Sequence, residues 1–276
     1  MYSIFSESNV QAARVLAGTF FCMFILAACT TVPITGRQSL NLVSDSELVS
    51  MSLQQYQEVL HKAKLSQDQE KVQMVRNVGA RIARATEDLL RQRGMESELR
   101  NYKWEFNLIQ DDKTVNAWCM PGGKVAVYTG LLPVAQNETG LAVVMGHEIA
   151  HAVAKHGNER VSQGLLQQMG GAALSVALST SPAATSNLFL QAYGVGTNIA
   201  FMLPYSRTHE SEADRIGLIL MAKAGYDPRE AVPFWKRMAG SGGSRPPEFL
   251  STHPAPETRI MQIERLIPEA MSYYNR

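Results

Sequence analysis

Net charge is nearly absent from this 276-residue chain: 26 Lys and Arg face 25 Asp and Glu, a formal balance of +1. The signs are scattered. That leaves no basic face for nucleic acid and no polybasic segment to hold a membrane surface. Long hydrophobic runs are missing as well; the apolar stretch from Val15 to Leu26 is too short to span a bilayer as a lone helix. Charge of either sign is absent from residues 161–206, where Gln163, Gln167, Gln168, Asn187, Gln191 and Asn198 interrupt the apolar residues and Ser181-Pro182 divides them. Neither half reads as a membrane span. Two helices packed through Gly and Ala contacts are expected, with a membrane-surface or oligomer contact as the alternative use. No internal repeat is present.

The N-terminal apolar run suits a signal-peptide core, with Arg14 ahead of it. It ends in Leu26-Ala27-Ala28-Cys29, which resembles the bacterial lipobox. That resemblance implies a lipoprotein signal peptide over 1–28, lipid on Cys29 and a lipidated tether over 29–43. Thr30, where inner-membrane retention would need aspartate, implies a periplasmic protein anchored to the outer membrane. The segment before Arg14 is long and contains Glu7, which leaves a later translation start open. Cysteine is scarce, with 3 in all. Once Cys22 is removed and Cys29 lipidated, Cys119 stands alone, and no intramolecular disulfide can form even in an oxidising compartment. Cys119 lies in an apolar strand context and reads as a small buried hydrophobe. The remaining chain, 44–276, is long enough for one domain with its own core.

Against this background one pentapeptide stands out: His147-Glu148-Ile149-Ala150-His151. Residues four apart on a helix lie on nearly one face, about 6 Å apart along the axis, so both imidazoles can reach one metal ion. Glu148 lies about 100° around the helix and is placed to address a water. Upstream, Glu138 to Gly146 gives an acidic first turn followed by small and apolar residues, the pattern of a buried helix. Downstream, Lys155-His156-Gly157 reads as a helix stop, which makes His156 a cap-region residue and not a ligand. A catalytic tetrahedral zinc needs a third protein ligand and an open fourth position. The best donors lie in Ser206 to Gly217, a second helix. There Glu210 and Asp214, spaced i, i+4, can divide the work of binding metal and orienting a ligating histidine. Spacing alone leaves His209 and Glu212 as alternatives.

This metal motif, followed some sixty residues later by Ser206-Arg207 and then Glu210-x-x-Ala213-Asp214-x-x-Gly217, resembles the gluzincin zinc metalloendopeptidases of the CAAX-prenyl-protease and HtpX type. Asn116-Ala117 with Pro121 to Leu131, and Ser251-Thr252-His253-Pro254 with Glu257-Thr258-Arg259, are similar to further elements of that family. The likeness runs from about residue 40 to 265. It implies an α+β, mostly α, zincin-like metalloprotease domain with one Zn2+ per chain on His147, His151 and Glu210, Asp214 behind the ligands, and Glu148 as catalytic base. In the family's bacterial periplasmic lipoprotein branch the histidine at the position of His253 can close the open zinc position as a latch. Some members of that branch carry a helical-repeat arm, and no such array follows here. The resemblance also favours Lys124, Val125, Ala126, Val127 and Tyr128 as an exposed sheet edge along which an extended substrate pairs. Arg207, beside the ligand segment, is expected to neutralise carboxylates.

The remaining organisation follows from caps and periodicity. Ser44 caps a helix running to about His61. A second runs from about Asp68 to Arg93, with Val72, Val75, Val78, Ile82, Ala85 and Leu89 as its core stripe. Alternation at Trp104, Phe106 and Leu108, at Val115 and Ala117, and at Val125 and Val127 gives short strands, a small sheet beside the zinc helix. A helix with Phe234 and Trp235 follows Asp227-Pro228. Ser241 to Pro247 is a loop, and Pro256 opens a last helix. The expected function is hydrolysis of peptide bonds in misfolded or envelope proteins, with polypeptide substrates, a membrane reached through the N-terminal lipid, no nucleic acid, and outer-membrane assembly machinery as a candidate partner. Two rivals are a zinc-stabilised chaperone or scaffolding lipoprotein with a permanently latched site, and a zinc hydrolase of peptidoglycan amides.

Overall fold

Side-chain caps set the helix starts that the sequence marks. Ser44 Oγ accepts from the Glu47 N–H to open α1, Asp45–Lys62, and Asp68 accepts from the Lys71 N–H to open α2, Gln69–Gln92. The structure, a computed structural model, describes residues 29–167, 182–193, 205–241, 248–253 and 257–274. The expected signal segment, the middle of the charge-free stretch and most of the 241–247 loop lie outside the described residues. Ahead of α1, β1 (Cys29–Thr31) pairs antiparallel with β2 (Gln38–Leu40), Cys29 standing opposite Leu40. Val32 and Val43 are buried, and Arg37 forms ion pairs with Glu159 and Glu212, so the segment packs on the domain.

After α2 come a short helix α3 (Glu96–Leu99), then β3 (Glu105–Ile109), β4 (Ala117–Met120) and β5 (Lys124–Tyr128). The α2 stripe is buried at Val75, Val78, Ile82, Ala85 and Leu89 and packs beside β3. The sheet order is β3-β5-β4, with β5 parallel to β3 and antiparallel to β4. The expected substrate strand, Lys124 to Tyr128, is therefore internal and paired on both sides. Val125, Ala126 and Val127 are fully buried, and no backbone edge is left there for a peptide. Alternation gives a strand's faces but not its rank in a sheet, which distant pairing decides. The edge on the metal-helix side is β4.

Beyond a short helix α4 (Leu132–Ala135), Asn137 caps α5, Glu138–Val153, by accepting from the Gly140 N–H at 2.9 Å. Nearly every residue of α5 is buried, as expected of a helix apolar on all sides. It stops where Lys155 takes a positive φ of 56° and pairs with Asp45 and Glu98. A new helix, α6, covers 156–167, followed by α7 (Pro182–Tyr193), α8 (Arg207–Lys223), α9 (Ala231–Gly240), α10 (Glu248–Thr252) and α11 (Glu257–Met271). Among the described residues no helix is long and apolar enough to cross a membrane.

The site depends on the approach of α8 to α5. A Cβ on Gly217 would lie 2.9 Å from both the Gly146 carbonyl carbon and the His147 nitrogen, and one on Gly146 would lie 2.9 Å from Gly217 O. Backbone on both sides leaves nothing that can move aside. Gly217→Ala is expected to cost about 1–3 kcal/mol by overpacking, and to weaken zinc binding by pushing Glu210 away from His147. Thermal unfolding and a zinc titration check this; an unchanged Tm would refute the close-approach argument.

Candidate metal centre

Three elements deliver the central side chains. α5 carries His147 and His151 one turn apart, each 2% exposed. Ser206 Oγ caps α8 by accepting from the His209 N–H, which puts Glu210 in the first turn facing α5. His253 follows α10; its N–H donates to Phe249 O, and its ring stacks on the Phe249 ring at 4.5 Å. One donor atom from each of His147, His151, Glu210 and His253 falls in a buried group whose members all lie within 4.8 Å of one another.

The separations inside this group fit a tetrahedral metal. His151 Nε2 is 3.0 Å from His147 Nε2, which is 3.3 Å from His253 Nδ1. Glu210 Oε1 is 2.9 Å from His253 Nδ1 and 3.3 Å from His151 Nε2, and its Oε2 is 3.6 Å from His147 Nε2. Donors bonded tetrahedrally to zinc at 2.0–2.1 Å stand about 3.3 Å apart. Protonation supports the same conclusion. His147 Nδ1 lies 3.0 Å from Asp214 Oδ1, and a carboxylate only accepts, so Nδ1 carries the proton and Nε2 a lone pair. Burial drives the pKa of His151 well below the usual value and favours its neutral form. Inward-facing lone pairs beside a carboxylate repel one another until a cation joins them. Next to them Glu148, 3% exposed, has an Oε1 without a hydrogen-bond partner. The residues present fit zinc.

The sequence model of Peptidase family M48 matches residues 77–267. The chain belongs to peptidase family M48. Its catalytic unit is that of a metalloendopeptidase, and its metal is zinc. The M48 domain is 39% identical over 176 residues to the mitochondrial metalloendopeptidase OMA1 of Schizosaccharomyces pombe, covering 63% of this chain and 50% of that protein. The whole chain is 30% identical over 265 residues to the human mitochondrial metalloendopeptidase OMA1, covering 92% of this chain and 49% of that one. The beta-barrel assembly-enhancing protease of Escherichia coli is 32% identical over 166 residues, 57% of this chain and 33% of that protein. The chain thus spans about half the length of the OMA1 relatives it matches. These relatives overturn one expectation. A bacterial periplasmic location anchored in the outer membrane, read from the lipobox-like segment, does not agree with mitochondrial proteins matching over more of the chain than the bacterial protease does.

In this M48 site Arg259 does what was expected of Arg207. Arg207 is exposed on the first turn of α8. Arg259, reaching in from α11, is 3% exposed and donates to Asp214 at 2.8 and 2.7 Å, and it pairs with Glu210 at 2.8 Å. Its guanidinium lies 3.7 Å from the centre of the Trp235 ring. Burial alone would raise Asp214, but Arg259 and His147 outweigh it and hold the carboxyl below its usual value. Cys119 is buried, as its strand context implied, and burial pushes its thiol up. Cys29 opens β1 and is exposed.

The alternatives His209 and Glu212 sit one layer out. Glu212 Oε2 is 2.9 Å from His156 Nε2, and His209 Nε2 is 3.2 Å from Glu159 Oε2. His156 stands just past the end of α5, as expected, and is not among the metal donors. It is fully buried, and its Nδ1 lies 2.9 Å from His151 Nδ1. Five residues past His151, across a helix break, it had no signal that periodicity could give.

Glu159 ties this layer to the N-terminal hairpin. Burial opposes its charge, but hydrogen bonds from His209 and Arg37 win and bring its pKa down to about 2. A carboxylate depressed in the folded state stabilises above its unfolded pKa and loses that contribution as pH falls through the folded value. Glu159→Gln is therefore expected to lower Tm by a constant amount above about pH 5, an effect on the order of 1 kcal/mol after solvent screening. The deficit should shrink from about pH 4.5 towards pH 2. Melting curves across that range test it, and a pH-independent deficit would contradict it.

Proposed function

We propose that this M48 domain cuts internal peptide bonds of polypeptides presented in extended, unfolded form, with zinc on His147, His151 and Glu210 and with Glu148 as general base. The observation that carries the reading is the buried Glu148 Oε1, which accepts no hydrogen bond among the described residues, beside a converging set of metal donors. Zinc, when bound, supplies a Lewis acid that acidifies water and polarises a scissile carbonyl. The Glu148 carboxylate accepts the proton of the attacking water and returns it to the leaving amine. Asp214 keeps His147 Nε2 free of a proton, and Arg259 balances the charge of Asp214 and Glu210.

The test is degradation of a reduced, carboxymethylated protein by the zinc-loaded chain. Internal fragments should appear, vanish with chelator and return with zinc. An intact substrate beside stoichiometrically bound zinc would refute the reading.

The position of His253 favours a second reading, a resting site closed by a fourth protein donor. His253 Nδ1 belongs to the donor group, and its Nε2 is 3.6 Å from Glu148 Oε1. His253→Ala is expected to raise turnover several-fold while weakening zinc binding. If both stay unchanged, His253 is no latch; if turnover stays nil while zinc is tightly held, the scaffold reading gains.

A further inference from the structure

Each inward-facing histidine needs a proton on its outer nitrogen, and the two obtain it differently. His147 has Asp214 directly behind it, the usual carboxylate–histidine–metal arrangement. Behind His151 stands a third histidine. His156 Nδ1 is 2.9 Å from His151 Nδ1, and His156 Nε2 is 2.9 Å from Glu212 Oε2. Two nitrogens facing each other need one proton between them, so one must donate and the other accept.

The surroundings decide which. Arg37 Nε and Nη2 lie 2.8 and 2.7 Å from Glu212 Oε2, and the Thr35 hydroxyl donates to Oε1. Arg37, Thr35 and His156 thus all converge on the Glu212 carboxylate. The ionised carboxylate only accepts, so His156 Nε2 carries the N–H. His156 is fully buried and directs its Nε2 proton at Glu212, and a ring with one proton leaves the other nitrogen bare. Its Nδ1 is then a lone pair, and His151 Nδ1 must donate to it. The inward nitrogen, His151 Nε2, is left unprotonated. Reversing the His156 tautomer would turn His151 over as well and aim an N–H into the donor group, where it would exclude a metal ion.

We propose that His156 is a positioning residue that sets the tautomer of His151, and that Glu212 and the N-terminal hairpin's Arg37 hold it in that role. The relay runs Arg37, Glu212, His156, His151. Arg37 also forks onto Glu159 at 2.9 and 2.7 Å, and Glu159 holds His209, whose ring stacks on His156 at 4.5 Å. The hairpin thus closes the layer behind one zinc ligand. Its packing bears on metal binding although none of its residues reaches the metal.

The proposal rests on His151 being a ligand, so His151→Ala serves as the control. Zinc affinity is read by competition with a chromophoric chelator on the full chain, with apo-protein Tm measured alongside. His156→Leu removes the acceptor and should weaken zinc about 10- to 100-fold, the range for partners behind a ligand. His156→Gln can accept from His151 and donate to Glu212, and should bind within about threefold of the parent. Arg37→Met, at the half-exposed end of the relay, should weaken zinc several-fold and stands in for His156→Leu if that variant does not fold. Parental affinity in His156→Leu, or in Arg37→Met where it stands in, would overturn the relay if His151→Ala has lost zinc. Equal weakening in His156→Leu and His156→Gln would overturn it too, by showing a purely structural role. Parental affinity in His151→Ala would instead remove the ligand assignment beneath it.

Discussion

Glu148→Gln should lower kcat for peptide hydrolysis by about 10³–10⁴, within the range of a positioned general base, while zinc affinity changes less than about threefold. The separation of these two numbers is what matters. Glu148 is not among the four donors, and among the described residues its Oε1 accepts no hydrogen bond. Burial raises its carboxyl above the usual range, partly offset by His253 and His147. Charge at this position therefore costs folding free energy that the isosteric amide does not. The variant should fold at least as stably as the parent, with Tm equal or higher. A group retained for stability would behave in the opposite way, losing Tm and keeping activity. Steady-state kinetics, a zinc titration and a melting curve on one preparation distinguish the two cases. Loss of zinc together with activity would make Glu148 a ligand and refute its role as base.

Glu210→Gln should have a different signature, losing metal and stability together. Its carboxylate faces His151 and His253, and Arg259 Nη1 lies 2.8 Å from Oε2. Burial alone would raise Glu210, but His253 and His151 outweigh it and hold the carboxyl well below its usual value. Removing the charge takes away one of the two carboxylates that Arg259 pairs with in its buried position, leaving it on Asp214. Breaking a buried pair in this way costs about 3–5 kcal/mol. Zinc binding should fall at least about 100-fold with the loss of an anionic ligand, and hydrolysis should fall with it. Added zinc should not restore the parental Tm. If Glu210→Gln binds zinc as the parent does, the third ligand lies elsewhere, and Asp214 becomes the next residue to change.

What the sequence made readable follows chemical locality. His147, Glu148 and His151 need only one turn of helix to be placed, and Glu210 with Asp214 need only one more. The family likeness joined the two turns, and the Gly146–Gly217 contact shows how the fold brings them together. Groups that depend on distant partners were not readable. Arg259 meets Asp214 across 45 residues, Arg37 meets Glu212 across 175, and His156 meets Glu212 across 56. The family likeness takes in Arg259 without giving it a role, and no local window contains the partners of Arg37 and His156. The β5 strand failed for a related reason. Its run of buried residues is compatible with an edge or a centre, and only the parallel pairing with β3 places it in the middle. The packing of Val32 and the ion pairs of Arg37 are equally invisible to composition, because their partners lie far along the chain.

The most direct test of the central claim is anomalous scattering at the zinc edge from crystals of the zinc-loaded chain. The account predicts one peak per chain, within bonding distance of His147 Nε2, His151 Nε2 and the Glu210 carboxylate, with Asp214 and His156 behind the ligands and out of reach of the ion. A peak on His156, His209 and Glu212, or at Cys119, would contradict it.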